Sequence, residues 1–337
     1  MSLKIGVVGT GAIGEDHINK ISNILTGGEV VAVNDIDKER AQNIIEKEGL
    51  DADFFESGHD LIRSDKVDAV IVASWGPTHE EFVLTAIDEK KPVFCEKPLS
   101  DTAEGARNIV DAEIESEQKY VQVGFMRRFD QSYRDLKEFI DQGNIGESLL
   151  VHAAHRNPEV DSEIYYGDMP ITDTLVHEID IFRWLLEDEY YSVQVVNGKK
   201  TSSAGEKLKD PLIVLLETES GIRIDIEVFV NCKYGYDIQC QVVGEEGIAK
   251  LAEPLSVTYR KDGKFSRGIL TDWKKRFVES YEVELQEWID STLQGEVNGP
   301  TAWDGFAASY ISNKGVKALN SGEIIKIDMP ERPELYK

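Results

Sequence analysis

Near the start of the chain, Gly9-Thr10-Gly11-Ala12-Ile13-Gly14 follows an apolar run and opens a stretch of helical composition. In that setting each glycine has a task. Gly9 permits a tight turn, Gly11 lets the backbone approach a pyrophosphate, and Gly14 allows close packing of helix on strand. Ala12 and Ile13 lie at the expected helix start, where amides and the positive end of the helix dipole favour a phosphate. Asp35 follows about 20 residues beyond the glycines, the spacing of a carboxylate that binds a ribose 2′-hydroxyl and repels a 2′-phosphate. This pattern favours NAD over NADP as cofactor, although Lys38 and Arg40 close by work the other way. Asp35 also suits a plainer role beside the helix that starts after Asp37.

Two other groups of residues are chemically suggestive. Phe94-Cys95-Glu96-Lys97-Pro98 ends an apolar strand, and ligands of open α/β sheets bind beyond the carboxyl ends of strands. Lys97 there can donate to a substrate oxygen and stabilise a developing alkoxide. Pro98 restricts Lys97 to extended geometry and makes the bond between them a candidate for cis. The same residues also describe a surface lysine at a strand end. Asp173 and His177 are four apart, with Asp180 three further on, so a helix over residues 172–187 brings them toward one side. A carboxylate beside an imidazole orients it and makes it a better base. Spacing alone favours a plainer reading, a helix start in which Thr172 or Asp173 is the cap and His177 a satisfied core side chain.

No metal is expected. Six histidines are present, His17, His59, His79, His152, His155 and His177, but none forms an HExxH unit, and no cysteine pair has zinc spacing. His152 and His155, with Arg156 and Asn157, read as polar contacts on one strand region, suited to a sugar-like ligand.

These residues need a scaffold, and the periodicity supplies one. The first third alternates short β-branched runs with amphipathic stretches. Val67-Asp68-Ala69-Val70-Ile71-Val72-Ala73 is almost continuously apolar, as in strands covered on both faces by βαβ crossovers. Beyond residue 124 the rhythm changes. In residues 222–230 the even positions are aliphatic and the odd ones mostly charged, which predicts strands with one buried face. The expected architecture is α/β: an N-terminal Rossmann doubly wound parallel sheet over residues 1–124, then an α+β domain over residues 125–337 on a large, mostly antiparallel open sheet. Further helices are expected over residues 132–142 and 272–293.

Composition narrows the function. Among 337 residues, 63 Asp plus Glu oppose 37 Lys plus Arg, a net charge of −26. Nucleic-acid binding rests on cations that neutralise phosphates, and anionic membrane surfaces require the same, so neither is an expected partner. The N-terminus lacks a signal-peptide shape, and no run approaches the ~20 apolar residues of a membrane span. Three cysteines, Cys95, Cys232 and Cys240, make no disulfide framework and point to a reducing cytoplasm. The surplus acid suits either solubility or a saline habitat.

Together, the glycine turn, Glu96-Lys97-Pro98, Gln122-Val123-Gly124-Phe125-Met126-Arg127-Arg128 and Asp173…His177…Asp180 resemble the glucose–fructose oxidoreductase and inositol dehydrogenase family. The likeness runs nearly end to end. It implies that Lys97, Asp173 and His177 work together in catalysis, and that Ser74, Trp75, His79 and Glu96 join the glycines, Asp35 and Lys97 around the cofactor. It implies a cyclic polyol as substrate, met by Lys97, Arg127, His155, Asn157, Asp173, Thr174, His177 and Tyr236, of which His155 and Tyr236 rest mainly on the resemblance. myo-Inositol oxidised to its 2-keto form is the first expectation, with scyllo-inositol or a pyranose such as glucose as rivals. A non-catalytic nicotinamide-binding regulator and redox-neutral glycoside cleavage are further alternatives. The family also implies a homotetramer whose open sheets pack face to face. One departure is Gly76, where many relatives carry asparagine.

Overall fold

The apolar runs of the first third assemble into a parallel sheet in the computed structural model, which describes residues 2–254 and 256–337. Its strands are β1 (Leu3–Val8), β2 (Gly28–Asn34), β3 (Asp53–Phe55), β4 (Ala69–Val72), β5 (Val93–Glu96) and β6 (Val121–Gly124). They lie in the order β3-β2-β1-β4-β5-β6 with every pairing parallel. Helices α1 (Ala12–Asn23), α2 (Lys38–Glu48), α3 (Gly58–Arg63), α4 (His79–Asp88) and α5 (Ala103–Glu115) make the crossovers. The direction of winding reverses between β1 and β4, which is where such sheets bind ligands.

The chain packs as two units. The first comprises Met1–Met126, Tyr281–Tyr310 and Pro330–Lys337. The expected division after residue 124 assigns the two C-terminal stretches to the second domain; packing assigns them to the first, for two reasons. Leu285, Trp288 and Ile289 lie in one apolar cluster with Ile5, Ile21 and Phe94, Trp288 meeting Phe94 edge-on at 5.8 Å between ring centroids. The Tyr336 hydroxyl donates to the buried Glu113 carboxylate at 2.5 Å.

The second unit comprises Arg127–Ser280 and Ile311–Met329. In chain order the remaining elements are α6 (Gln131–Asp141), β7 (Ser148–Arg156), α7 (Val176–Leu186), β8 (Tyr190–Asn197), β9 (Leu212–Thr218), β10 (Arg223–Phe229), β11 (Asp237–Gly244), β12 (Ile248–Lys250), β13 (Thr258–Lys261), β14 (Lys264–Arg267), α8 (Trp273–Arg276), α9 (Val278–Gln294), α10 (Ala302–Ser321) and β15 (Ile325–Lys326). Seven strands form a sheet in the order β12-β11-β7-β10-β9-β8-β15, antiparallel except for the β7–β10 pairing. Alternation sets its two faces. Ile224, Ile226 and Val228 of β10 and Leu212, Val214 and Leu216 of β9 are buried, while Ile213 and Leu215 face outward.

Two expected helices are broken. That over residues 172–187 begins instead with a π-helical turn, Pro170–Thr174, before α7 starts at Val176. That over residues 272–293 is split into α8 and α9 around Phe277.

Candidate active site

In the first unit the carboxyl ends of β1, β2, β4 and β5 carry the cofactor-type residues. The glycines behave as their spacing predicts. A Cβ on Gly9, whose φ is +96°, would lie 2.5 Å from both Ala73 O and Ser74 N, and one on Gly14 would lie 2.1 Å from Gly9 O. Gly11 has nothing within 4 Å of its Cβ position. The turn is thus packed hard at Gly9 and Gly14 and open at Gly11, which caps α1 with no side-chain bond. That open surface at a helix N-terminus fits a pyrophosphate.

Asp35 is buried and holds the turn in shape. Its Oδ2 accepts from Thr10 N at 2.7 Å and Thr10 Oγ1 at 2.8 Å. Its Oδ1 accepts from Asp37 N at 2.8 Å and Arg40 Nη2 at 2.6 Å. Burial raises the carboxyl's pKa, but the donors from Arg40, Asp37 and Thr10 outweigh it and hold Asp35 below its ordinary range. Asp35 is therefore held in its ionised form just beyond the carboxyl end of β2.

His79 Nδ1 lies 2.7 Å from Pro98 O and Nε2 lies 3.0 Å from Ser74 O. The ring ties together the segments that follow β4 and β5. The Lys97–Pro98 peptide bond is cis. Trp75 is 77% exposed, an indole face presented outward beside this turn region. A Cβ at Gly76 would lie 2.6 Å from Asp101 Oδ1, so a larger residue there requires the Asp101 side chain to move. Lys97 itself directly follows β5, its amide 3.2 Å from Glu96 Oε2.

The second unit gathers the polyol-type residues around β7 and the start of α7. His155 is buried with Nδ1 3.0 Å from both Arg127 Nη2 and Glu178 Oε2. Arg127 Nη1 donates to Glu178 Oε1. The His155 ring lies 6.2 Å from that of His177 and 5.9 Å, edge-on, from that of Tyr236. Burial opposes both charges of the pair, and their attraction prevails. Glu178 stays below the ordinary carboxylate range through Arg127 and His155, and Arg127 stays above its own through Glu178. Burial pushes the Tyr236 hydroxyl up to about 12, so it remains a hydrogen-bond donor at neutral pH.

Several expected contacts take a different form. Arg127 is 1% exposed and committed to Glu178 and His155, so it sets those side chains. Thr174 Oγ1 is 2.6 Å from the Tyr165 hydroxyl. Asn157 is pinned through its backbone to Phe229 O at 2.9 Å and Cys232 N at 3.0 Å. Asp180 forms a two-pronged ion pair with Arg128, at 2.9 and 2.5 Å, and so belongs to the framework. His152 and Arg156 do not share a face with His155. Strand alternation turns them outward, where His152 meets Asp225 and Arg156 meets Glu227 and Asp237.

Glu178, the buried partner of Arg127 and His155, is a residue that spacing did not reveal; directly following His177 in the sequence, it has no periodic signal of its own. His17 was missed too. Its signal is a polar residue on the apolar stripe Gly14, His17, Ile18, Ile21 of α1.

Comparison with known proteins shows the family to which the chain belongs. A family model described as "Oxidoreductase family, NAD-binding Rossmann fold" matches residues 3–125, and one described as "Oxidoreductase family, C-terminal alpha/beta domain" matches residues 137–327. The chain belongs to the GFO/IDH/MocA oxidoreductase family. Within it, the chain is 56% identical over 336 residues to an inositol 2-dehydrogenase of Serratia proteamaculans (strain 568), covering 100% of this chain and 99% of the relative. It is 58% identical to that of Pseudomonas fluorescens (strain SBW25), covering 100% of both. Among solved structures of this oxidoreductase family, myo-inositol dehydrogenase from Lactobacillus casei, in complex with NAD(H) and myo-inositol, has a TM-score of 0.97 at 41% identity, covering 100% of each chain.

Proposed function

We propose that this oxidoreductase converts myo-inositol and NAD⁺ into the 2-keto inositol and NADH. The observation that carries the reading is the whole-chain likeness, at a TM-score of 0.97, to a structure holding NAD(H) and myo-inositol. NAD, when bound, supplies the hydride acceptor. The glycine turn and the start of α1, with Gly9, Gly11, Ala12, Ile13 and Gly14, hold its pyrophosphate. Asp35 holds the ribose, and Ser74, Trp75, His79 and Glu96 shape the nicotinamide end.

His177 takes the proton of the reacting hydroxyl. Asp173 orients that imidazole or holds a neighbouring hydroxyl, and Lys97 stabilises the alkoxide-like oxygen. His155, Asn157, Thr174 and Tyr236 recognise the remaining hydroxyls, with Arg127 setting His155. A site that satisfies every hydroxyl rejects a ring lacking one, because a buried polar group is left unpaired.

Self-association as a homotetramer is part of the proposal. The outward face of the seven-stranded sheet presents Ile213 and Leu215, 45% and 39% exposed, among the ion pairs His152–Asp225, Arg156–Glu227 and Arg223–Glu217. An apolar centre with balanced charges suits the same face of a second copy. The three cysteines are unpaired, in keeping with work in a reducing cytoplasm.

The test is purified protein with NAD⁺ and, separately, myo-inositol, scyllo-inositol and glucose, following free NADH and the keto product. Accumulating NADH with myo-inositol supports the proposal. Activity confined to scyllo-inositol or glucose contradicts the substrate, and keto product without free NADH contradicts the reaction class.

A further inference from the structure

We propose that His17, acting through Glu96, is a positioning residue for Lys97; the role of Lys97 in turnover rests on the function proposed above. The ladder between β5 and β6 ends at the pair Glu96 and Gly124. Lys97 is the first residue beyond it, so its amide leaves the sheet. The acceptor it finds is the side chain of the residue before it, Glu96 Oε2 at 3.2 Å. A flexible carboxylate so close in sequence fixes a backbone only if the carboxylate is itself fixed.

His17 fixes it. Its Nε2 lies 2.8 Å from Glu96 Oε1, with both side chains buried. An ionised carboxylate only accepts, so Nε2 carries the proton. His17 Nδ1 has no hydrogen-bond partner, which agrees: a proton there would be an orphaned buried donor. One tautomer therefore satisfies the site. The ring is held edge-on against Phe94 at 5.6 Å and beside Tyr281 at 5.9 Å. Gly124 completes the slot, since a Cβ on it would come within 3.1 Å of the Glu96 carboxyl carbon.

A buried charged hydrogen bond is a costly way to fill space, and an apolar pair of the same shape would serve the core at least as well. What an apolar pair cannot do is hold the Lys97 amide. The arrangement links the middle of α1 to the placement of Lys97, residues 80 positions apart in the chain.

The test compares His17→Leu, which removes the donor, with His17→Gln, which restores one, in wild-type and Lys97→Met backgrounds. His17→Leu should lower kcat by ~10–100-fold, the scale of a displaced catalytic group, and His17→Gln should recover most of the loss. In the Lys97→Met background His17→Leu should cost nothing further. An equal loss in both backgrounds, or no loss in either, would overturn the proposal. Should His17→Leu fail to fold, Gly124→Ala, which pushes on the carboxylate, should show the same dependence on Lys97. A second readout needs no substrate: the rate of acetylation of each lysine by acetic anhydride, read by mass spectrometry. That rate should change at Lys97 in His17→Leu, revert in His17→Gln, and stay constant at Lys38 and Lys47. Unaltered acetylation of Lys97 would overturn the proposal even if the wild type oxidised no polyol, an outcome that by itself defeats only the proposed function.

Discussion

At the scale of single residues, charge is spent where chemistry needs it and neutralised elsewhere. His177 illustrates the first case. Replacing it with alanine removes the proposed base and leaves the residues of the glycine turn unchanged, so kcat should fall by ~10²–10⁴-fold while NAD binding, measured by fluorescence titration, stays as in the wild type. Retained activity would rule out His177 as the base. Asp35 illustrates a different use. Its carboxylate neutralises Arg40 at 2.6 Å, so Asp35→Ser removes one repulsion and exposes one attraction for a 2′-phosphate. The ratio of kcat/KM for NADP to that for NAD should rise by at least ~10-fold, because like-charge juxtaposition costs several kcal/mol.

Glu178 shows the cost of burial. Its carboxyl sits below the ordinary value of 4.5, so the unfolded chain binds its proton more readily than the folded one. The stability it contributes is complete above about pH 4.5 and is lost as pH falls through the lower folded value. Glu178→Gln strands Arg127 as a buried unpaired cation and should cost about 3–5 kcal/mol in denaturant unfolding at neutral pH. Its stability should also vary less with pH in that acid window.

At the scale of elements, what was legible followed from what repeats. The period of two in residues 222–230 and the continuous apolar run before Ser74 identified both sheets. The three glycines located the cofactor turn because each solves a steric problem that only glycine solves. Elements without a repeat were not legible. α10 is buried along most of its length, and its buried positions mix polar Asp304, Ser309 and Ser312 with apolar residues, which leaves no clean amphipathic stripe to find. β3 is three residues long, too short to set a period. The π-helical turn Pro170–Thr174 depends on a carbonyl, Pro170 O, accepting from Leu175 N at 3.0 Å, which spacing does not show. Such turns recur at functional sites, and here one carries Asp173 into α7. In the site, Lys97, Asp173 and His177 were suggested by type and spacing, whereas Glu178 required packing; the opposite facing of His152 and His155, three apart on β7, follows from strand alternation alone.

At the scale of the whole molecule, the charge of −26 opposes binding of an anionic cofactor. Local amides and the dipole of α1 act against that field, and added salt screens it over a Debye length of ~10 Å at 0.1 M. KM for NAD should therefore fall as salt is raised from low ionic strength, while KM for uncharged inositol should not move. A KM for NAD that rises with salt would contradict the account of the surface charge. The outward sheet face makes a separate prediction. Ile213→Glu with Leu215→Glu should leave the buried face intact but separate the subunits of the proposed homotetramer, giving a lighter species in analytical ultracentrifugation. An unchanged mass would place the oligomer contact elsewhere.

Hydride leaves one carbon of the inositol ring, and isotope transfer tests that step most directly. myo-Inositol deuterated at C2 and incubated with the protein and NAD⁺ should yield NADH carrying that deuterium at nicotinamide C4, in equal amount to the keto product. NADH without deuterium, or no NADH at all, would contradict it.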